Sequence, residues 1–396
     1  MDLNIYKNLE RNVEGIFVNV HPIQRGGVLT PEARKALLEF GDGYSVCDYC
    51  FESRVDLVQK PPVRNLVQDI VEFLNMDDVR FTAGCRHAKW AAMHMACEPG
   101  DSIVVDSLAH YTSYLAAEAN RLKVFEVPHS GYPDFTIDPQ RYAAKFEEVE
   151  KKTGSLPTMA VLTHVDYRYG NVADAAGVGK ICKEYGVPFL LNTAYSSGIM
   201  PVDGKRLGVD FLCGSGHKSW AASAPIGILA TTYEWSQQIF DKSSIRGEWS
   251  GRGFTKKEVA LFGCSPVFGA PLVTLMASFP SVVERVKHWD EEVEKARYLA
   301  RQLERIEGFH LMGVRPTQHT LMNFETLPLH EVAEDHKKRG YFLYHELKKR
   351  KIMGLHPGMS KNFKINTYGL SQPQVEYVAR AFIDIAEENN IPIEEE

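Results

Sequence analysis

The chain has 396 residues, of which 44% are hydrophobic, 24% charged and 11% aromatic. That length buries a large core, and the composition excludes disordered and fibrous classes. With 45 Lys plus Arg against 51 Asp plus Glu, the net charge is −6, so no global positive field draws in polyanions and any nucleic-acid contact falls to a local patch.

Taken in chain order, residues 1–60 read as an N-terminal arm carrying the pair Cys47-Asp48-Tyr49-Cys50. The opening MDLNIYKNLERNVEG lacks the layout of a signal peptide, and no apolar run approaches the roughly 18 residues of a membrane helix, so a cytoplasmic protein with no membrane partner is expected. From about residue 62 short β-branched apolar runs alternate with helical segments, the rhythm of a mostly parallel sheet covered by helices. Strands are expected at 79–82, 102–105, 123–126, 159–162, 188–191, 211–213 and 226–230, within a large domain over 61–285. A long amphipathic stretch over 280–307 then leads to a smaller C-terminal α/β domain, 286–396. Basic helical segments are expected there around 336–339 and 348–351, followed by a serine-capped helix over 371–389 and a frayed IPIEEE tail.

The run FLCGSGHKSW, 211–220, sets Lys218 just past an apolar strand, in a loop of small residues between an imidazole and an indole. A lysine held there with a depressed pKa can form a Schiff base with an aldehyde cofactor. The plainer alternative is a solvated surface lysine. Upstream, Asn192 closes the strand before TAYSSG, and the strand at 79–82 runs through Ala83-Gly84 into the helical CRHAKWAA. Amides at that helix start, with Arg86 and His87, form a natural phosphate cradle. Each residue also has a bland reading: Asn192 as a strand-end turn, His110 in LAHY as a helix cap, and Arg86 as half of a surface ion pair.

In this order the segments resemble the aspartate-aminotransferase-like, type I pyridoxal-phosphate enzymes, over nearly the whole chain. The resemblance implies an α/β transferase fold with a mostly parallel central sheet. It also implies that the phosphate loop is Gly84 to His87, that His110 stacks on the cofactor ring, that Asn192 meets the pyridine nitrogen and that Lys218 bears the cofactor. Ser215, Gly216 and His217 would add cofactor contacts. Two departures matter. Most relatives place an aspartate against the pyridine nitrogen, so the neutral Asn192 implies a weaker electron sink and an easy leaving group on the β-carbon. The C-terminal stretch that usually supplies an arginine for a free α-carboxylate has Lys364 instead, which fits an esterified substrate.

Cys47, Cys50 and Cys264, the last in FGCSP, are too few for a zinc site built of cysteine alone. Three thiols suit either a persulfide with a resolving partner or ligation of an iron-sulfur cluster. Cys97, Cys182 and Cys213 lie in apolar runs and read as buried structural thiols, while Cys85 at the phosphate loop fits both roles. With CDYC, FGCSP, AGCRHAKW, LLNTAYSSG and GSGHKSWAASAP together, the chain is similar to the archaeal O-phosphoseryl-tRNA:cysteinyl-tRNA synthases.

That resemblance implies conversion of O-phosphoseryl-tRNA(Cys) to cysteinyl-tRNA(Cys) by pyridoxal-phosphate-dependent β-elimination and sulfur addition. It further implies a homodimer with active sites at the subunit interface, a sulfur donor, and docking with the O-phosphoseryl-tRNA synthetase. Arg86, His87, Arg246 and Arg252 are the candidates to hold the departing phosphate, and Lys256, Lys257 and the basic C-terminal segments those for tRNA. The competing readings are a cysteine desulfurase-like enzyme acting on a free amino acid and a non-catalytic tRNA-binding subunit. The missing C-terminal arginine opposes the first, and Lys218 with three candidate sulfur-carrying cysteines opposes the second.

Overall fold

The computed structural model describes residues 16–23, 25–42, 45–46, 63–240, 246–253 and 267–395. Cys47, Cys50, Cys264, Lys256 and Lys257 lie outside the described residues. Two compact units divide the chain, one over 26–291 and one combining the chain up to residue 25 with 292 onward. These borders differ from the expected 60/61 and 285/286. The reason at the amino-terminal side is a parallel pairing of Val18 with Ile352 and of Asn19 with Met353, which ties residues 18 and 19 to the C-terminal unit.

The larger unit holds seven strands in one sheet: β1 (Asp78–Thr82), β2 (Ser102–Asp106), β3 (Lys123–Val127), β4 (Met159–Thr163), β5 (Phe189–Asn192), β6 (Phe211–Ser215) and β7 (Gly227–Thr231). Their spatial order is β3-β2-β4-β5-β6-β7-β1, and only β7 runs against its neighbours. Each lies within two residues of its expected span. The central strands SIVVD and MAVLT are buried along their whole length, as sheets covered on both faces require.

Helices α1 (Pro31–Glu39), α2 (Val63–Leu74), α3 (Cys85–Ala96), α4 (Tyr111–Ala119), α5 (Gln140–Thr153), α6 (Ala175–Tyr185), α7 (Gly216–Ser219), α8 (Tyr233–Ile239) and α9 (Gly269–Arg285) complete this unit. α2 buries Val63, Leu66, Val67, Ile70 and Leu74, the one-face spacing of an amphipathic helix. α3 buries Ala88, Ala91 and Ala92, small residues that let it lie close on the sheet. The single stretch expected over 280–307 is instead the end of α9, a 3-10 turn at Val286–His288 and α10 (Trp289–Glu304).

In the smaller unit, β8 (Phe309–Met312), β9 (Leu321–Thr326) and β10 (Asn362–Asn366) form an antiparallel sheet, with α11 (Leu327–Asp335), α12 (Phe342–Lys349) and α13 (Gln372–Glu388). Phe363 stacks on Phe382 of α13 and on Phe324 of β9 at centroid distances of 4.9 and 5.6 Å. Ser371 caps α13 in a capping box with Gln374. The segment at 336–339 is not the expected helix: α11 stops at Asp335, and Arg339, at φ 45°, opens a single 3-10 turn. The tail is held rather than frayed. Glu307 donates to the Pro392 carbonyl and Glu394 to that of Arg305, both at 2.9 Å. No helix among the described residues is long and apolar enough to cross a membrane.

Candidate active site

Every strand of the large sheet except β7 ends at the same edge, the place where open α/β sheets bind ligands. A cavity of about 300 Å³ opens there. Thr163 ends β4, Asn192 ends β5 and Ser215 ends β6. All three line the cavity, with Arg86, His87 and Lys89 of α3, His110 before α4, and Lys218 of α7. The β4–β5 register sets Thr163 beside Asn192, and the β6–β7 register sets Ser215 beside Gly227.

The floor beneath α3 is set by Gly227. A Cβ there would stand 2.3 Å from the Gly84 carbonyl carbon and 2.7 Å from the Cys85 nitrogen, so only glycine lets α3 begin this close to the sheet. Gly84 itself sits at φ 108° and offers no side-chain cap. The amides that open α3 are therefore left for a ligand, in a field that favours anions. Arg86 donates to the Tyr111 hydroxyl at 2.9 Å rather than to a surface carboxylate. His87 Nδ1 meets the Ala83 carbonyl and His217 Nδ1 that of Ile226, each at 3.1 Å.

Lys218 lies half-buried with Nζ 5.0 Å from the centroid of Tyr195. Burial lowers its pKa; Cys85 acts the other way, while Lys89 and Arg86 push it further down. The loop that presents it is pinned from behind. Arg285 donates to the carbonyls of Gly198, Gly26 and Ser219 at 2.8, 3.0 and 2.5 Å. A Cβ on Gly27 would stand 2.1 Å from the His217 carbonyl oxygen, so a glycine backs the loop. Trp220, fully buried, donates to Ser197 at 3.2 Å and stacks on Phe279.

Asn192 is oriented without ambiguity. Its Oδ1 accepts from the Ala194 amide, which can only donate, and from the Cys85 thiol, both at 3.2 Å. The amino end is what remains to meet a ligand. The single Cys85 thiol proton is shared with the Cys213 carbonyl, also at 3.2 Å, and burial pushes the thiol pKa up, so it is a structural thiol rather than a reactive one. Cys97, Cys182 and Cys213 are buried as well, with pKa values raised by burial.

The donor set fits an aldehyde cofactor bearing a phosphate. An amine, an amide donor and an uncapped helix start converge on one cavity, and a lining hydroxyl, Ser215 Oγ, is buried with no hydrogen-bond partner. The structure brings Gly84, Arg86, His87, His110, Asn192, Ser215, His217 and Lys218 together here, with Gly216 opening α7. It does not bring Arg246 or Arg252, which are exposed and do not line the cavity. Sequence reasoning missed Lys89, Thr112, Tyr195 and Arg285. Lys89 alone had a readable signal, standing four residues after Cys85 and so on the same helix face.

A family model for O-phosphoseryl-tRNA(Sec) selenium transferase, SepSecS, matches residues 90–389. The chain is also 61% identical to O-phospho-L-seryl-tRNA:Cys-tRNA synthase 2 of Archaeoglobus fulgidus, over 96% of each chain. The chain belongs to the SepSecS family, among its O-phospho-L-seryl-tRNA:Cys-tRNA synthases. It is 53% identical to the synthase of Methanopyrus kandleri over 99% of this chain and 100% of that one. A crystal structure of a SepCysS–SepCysE N-terminal domain complex matches at 47% identity with a TM-score of 0.88, covering 98% of this chain and 100% of its own. A cysteine desulfurase from Thermococcus onnurineus shares the fold, with a TM-score of 0.74 at 18% identity.

Proposed function

We propose that the cavity holds pyridoxal phosphate on Lys218 and that the protein converts O-phosphoseryl-tRNA(Cys) to cysteinyl-tRNA(Cys) by eliminating phosphate and adding sulfur. The observation that carries this reading is the convergence of the Lys218 amine, the Asn192 amide and the unpartnered Ser215 hydroxyl on one cavity, in a chain whose relatives bear this name. Bound there, the cofactor would supply an electron sink for carbanion chemistry at the α-carbon. Residues 84–87 and Ser215 would hold its phosphate, His110 would cover its ring, and Gly216 and His217 would complete the seat.

Asn192 has only an N–H donor left to offer the ring nitrogen, so it would hold that nitrogen as an acceptor, without a full proton. The sink is then modest, which suits a substrate whose β-substituent leaves readily. Burial keeps the Lys218 amine easier to deprotonate than an ordinary lysine, so it can take the α-proton at Nζ as general base. With the opening amides of α3 taken by the cofactor's phosphate, the Arg86 guanidinium would help neutralise the departing phosphate dianion. Sulfur would arrive as a persulfide on one of Cys47, Cys50 or Cys264: the outer sulfur bonds to the β-carbon, and a second of these thiols breaks the resulting S–S bond. That leaves the cysteinyl ester and a protein disulfide, which a thiol reductant must reopen. Ligation of an iron-sulfur cluster by the same three cysteines is the other chemistry they allow.

The ester link to tRNA removes the need for a carboxylate clamp. We further propose a cytoplasmic homodimer served by a separate sulfur donor and by the synthetase that charges phosphoserine. The test is the absorption spectrum of the anaerobically purified protein. A band near roughly 410–420 nm that is lost in Lys218→Ala and shifts with phosphoseryl-tRNA as phosphate appears supports the proposal. A band answering only to free cysteine moves the assignment to a desulfurase, and the absence of a band removes the enzyme reading.

A further inference from the structure

Lys89 is 1% exposed, and its Nζ donates to two hydroxyls, Thr112 Oγ1 at 2.7 Å and Ser113 Oγ at 2.9 Å. Thr112 Oγ1 in turn lies 2.9 Å from His110 Nδ1, and the Thr112 amide points at the same nitrogen at 3.3 Å. These contacts settle where the protons sit. A backbone N–H can only donate, so Nδ1 is an acceptor and the imidazole proton is on Nε2. The ammonium of Lys89 has no acceptor, so the Thr112 hydroxyl receives from Lys89 and gives its own proton to Nδ1.

We infer that Lys89 is a positioning residue that acts through Thr112 to hold His110 as a neutral imidazole with its proton on Nε2. Protonating Nδ1 would require the Thr112 hydroxyl to turn and accept, which would aim its proton at the Lys89 ammonium. That reversal sets two donors against each other and two cations within two hydrogen bonds of one another. His110 is then no base: one ring nitrogen carries the proton and the other accepts from Thr112. Removal of the α-proton is left to Lys218.

The rings of Tyr111 and Tyr167 lie 4.2 and 5.1 Å from His110, and Arg86 donates to Tyr111. Cys85, Cys213 and Asp106 stand near Lys89 and favour its ammonium only when ionised, whereas burial, the largest influence, and Arg86 lower its pKa; burial keeps both thiols neutral and raises Asp106 to about 7. The role assigned to His110 rests on the cavity being a pyridoxal site; the position of its protons does not.

The experiment uses the cofactor-free full chain with nitrogen-15 histidine, read by long-range proton–nitrogen correlation at about pH 6, where an ordinary imidazole is largely charged. The His110 signals are identified by their loss in His110→Phe. Wild type is expected to show one ring proton, on Nε2, and a bare Nδ1. Lys89→Met, an apolar side chain of similar length, is expected to raise the doubly protonated fraction at least about threefold, and Lys89→Arg to restore the wild-type pattern. A proton on Nδ1 in wild type overturns the inference even where Lys89→Met does not fold. So does a Lys89→Met spectrum indistinguishable from wild type. Because the readout needs neither cofactor nor tRNA, failure of the proposed reaction leaves this result standing, and the reverse.

Discussion

The Cys85 thiol donates to Asn192 Oδ1 at 3.2 Å, and that oxygen also receives the Ala194 amide. A residue read first as an unusual partner for a cofactor nitrogen is thus also a structural tie between β5 and α3. Its acceptor end is committed within the protein, which leaves a donor for the cavity. Asn192→Ala should weaken pyridoxal phosphate binding at least about tenfold, the loss expected for one hydrogen bond of about 1.4 kcal/mol. Absorbance titration of the cofactor-free protein measures this. Binding as tight as in wild type would remove Asn192 from the cofactor site.

Lys218 carries a signature in stability as well as in chemistry. Its folded pKa lies below its unfolded value, chiefly through burial. Below the folded pKa both states are protonated and the full cost of burying the cation is present. As pH rises from the folded pKa to the unfolded one, the unfolded chain binds more protons, so stability increases. The cofactor-free wild type should therefore gain thermal stability relative to Lys218→Met as pH is raised from about 7 to 10. Parallel Tm curves across that range would contradict the burial-lowered amine.

Gly227 is a geometric requirement. Gly227→Ala places a methyl group against the Gly84 backbone at 2.3 Å, where no flexible side chain can yield. The expected result is destabilisation of about 1–3 kcal/mol, the usual range for overpacking, together with weakened cofactor retention. Denaturant midpoints of the cofactor-free protein separate the two effects. An unchanged midpoint would mean that α3 shifts without cost.

Arg285 pins the lysine loop from outside the cavity. Arg285→Leu removes donors to three carbonyls, and with hydrogen bonds from charged groups worth about 1.5–3 kcal/mol each, a loss of several kcal/mol is expected. Arg285→Lys should retain part of the stability but lower kcat with KM for tRNA unchanged, since loop placement and not binding is affected. A change confined to KM would place the effect elsewhere.

Much of the large unit was legible because its strands obey a local rule. Runs such as Ile103-Val104-Val105 and Ala160-Val161-Leu162 are apolar and β-branched between polar or glycine-bearing stretches, and each became a strand within two residues of its expected limits. Lys218 and Asn192 could be found because they follow such strands directly. Arg285, Gly27 and Gly227 act through contacts between residues distant in sequence, which no local pattern announces. Thr112 was invisible for a different reason: its importance lies in the direction of one hydroxyl proton. The basic run after Asp335 was misread because charge density suggested a helix, whereas His336, in extended backbone at φ −76° and ψ 138°, ends α11 before that run. Cys47, Cys50 and Cys264 remain a reading of motifs, and the thiol chemistry assigned to them rests on the reaction they would complete.

One measurement bears on the central claim most directly: a single turnover of phosphoseryl-tRNA by the reduced, persulfide-loaded holoenzyme, counting released phosphate and cysteinyl-tRNA together. Wild type should form both in equal amounts. Lys218→Ala should form neither, and the protein with Cys47, Cys50 and Cys264 all changed to serine should release phosphate without cysteine. Cysteinyl-tRNA from Lys218→Ala, or phosphate release that needs the three cysteines, would contradict a reaction in which the lysine opens the β-carbon and the thiols then supply its sulfur.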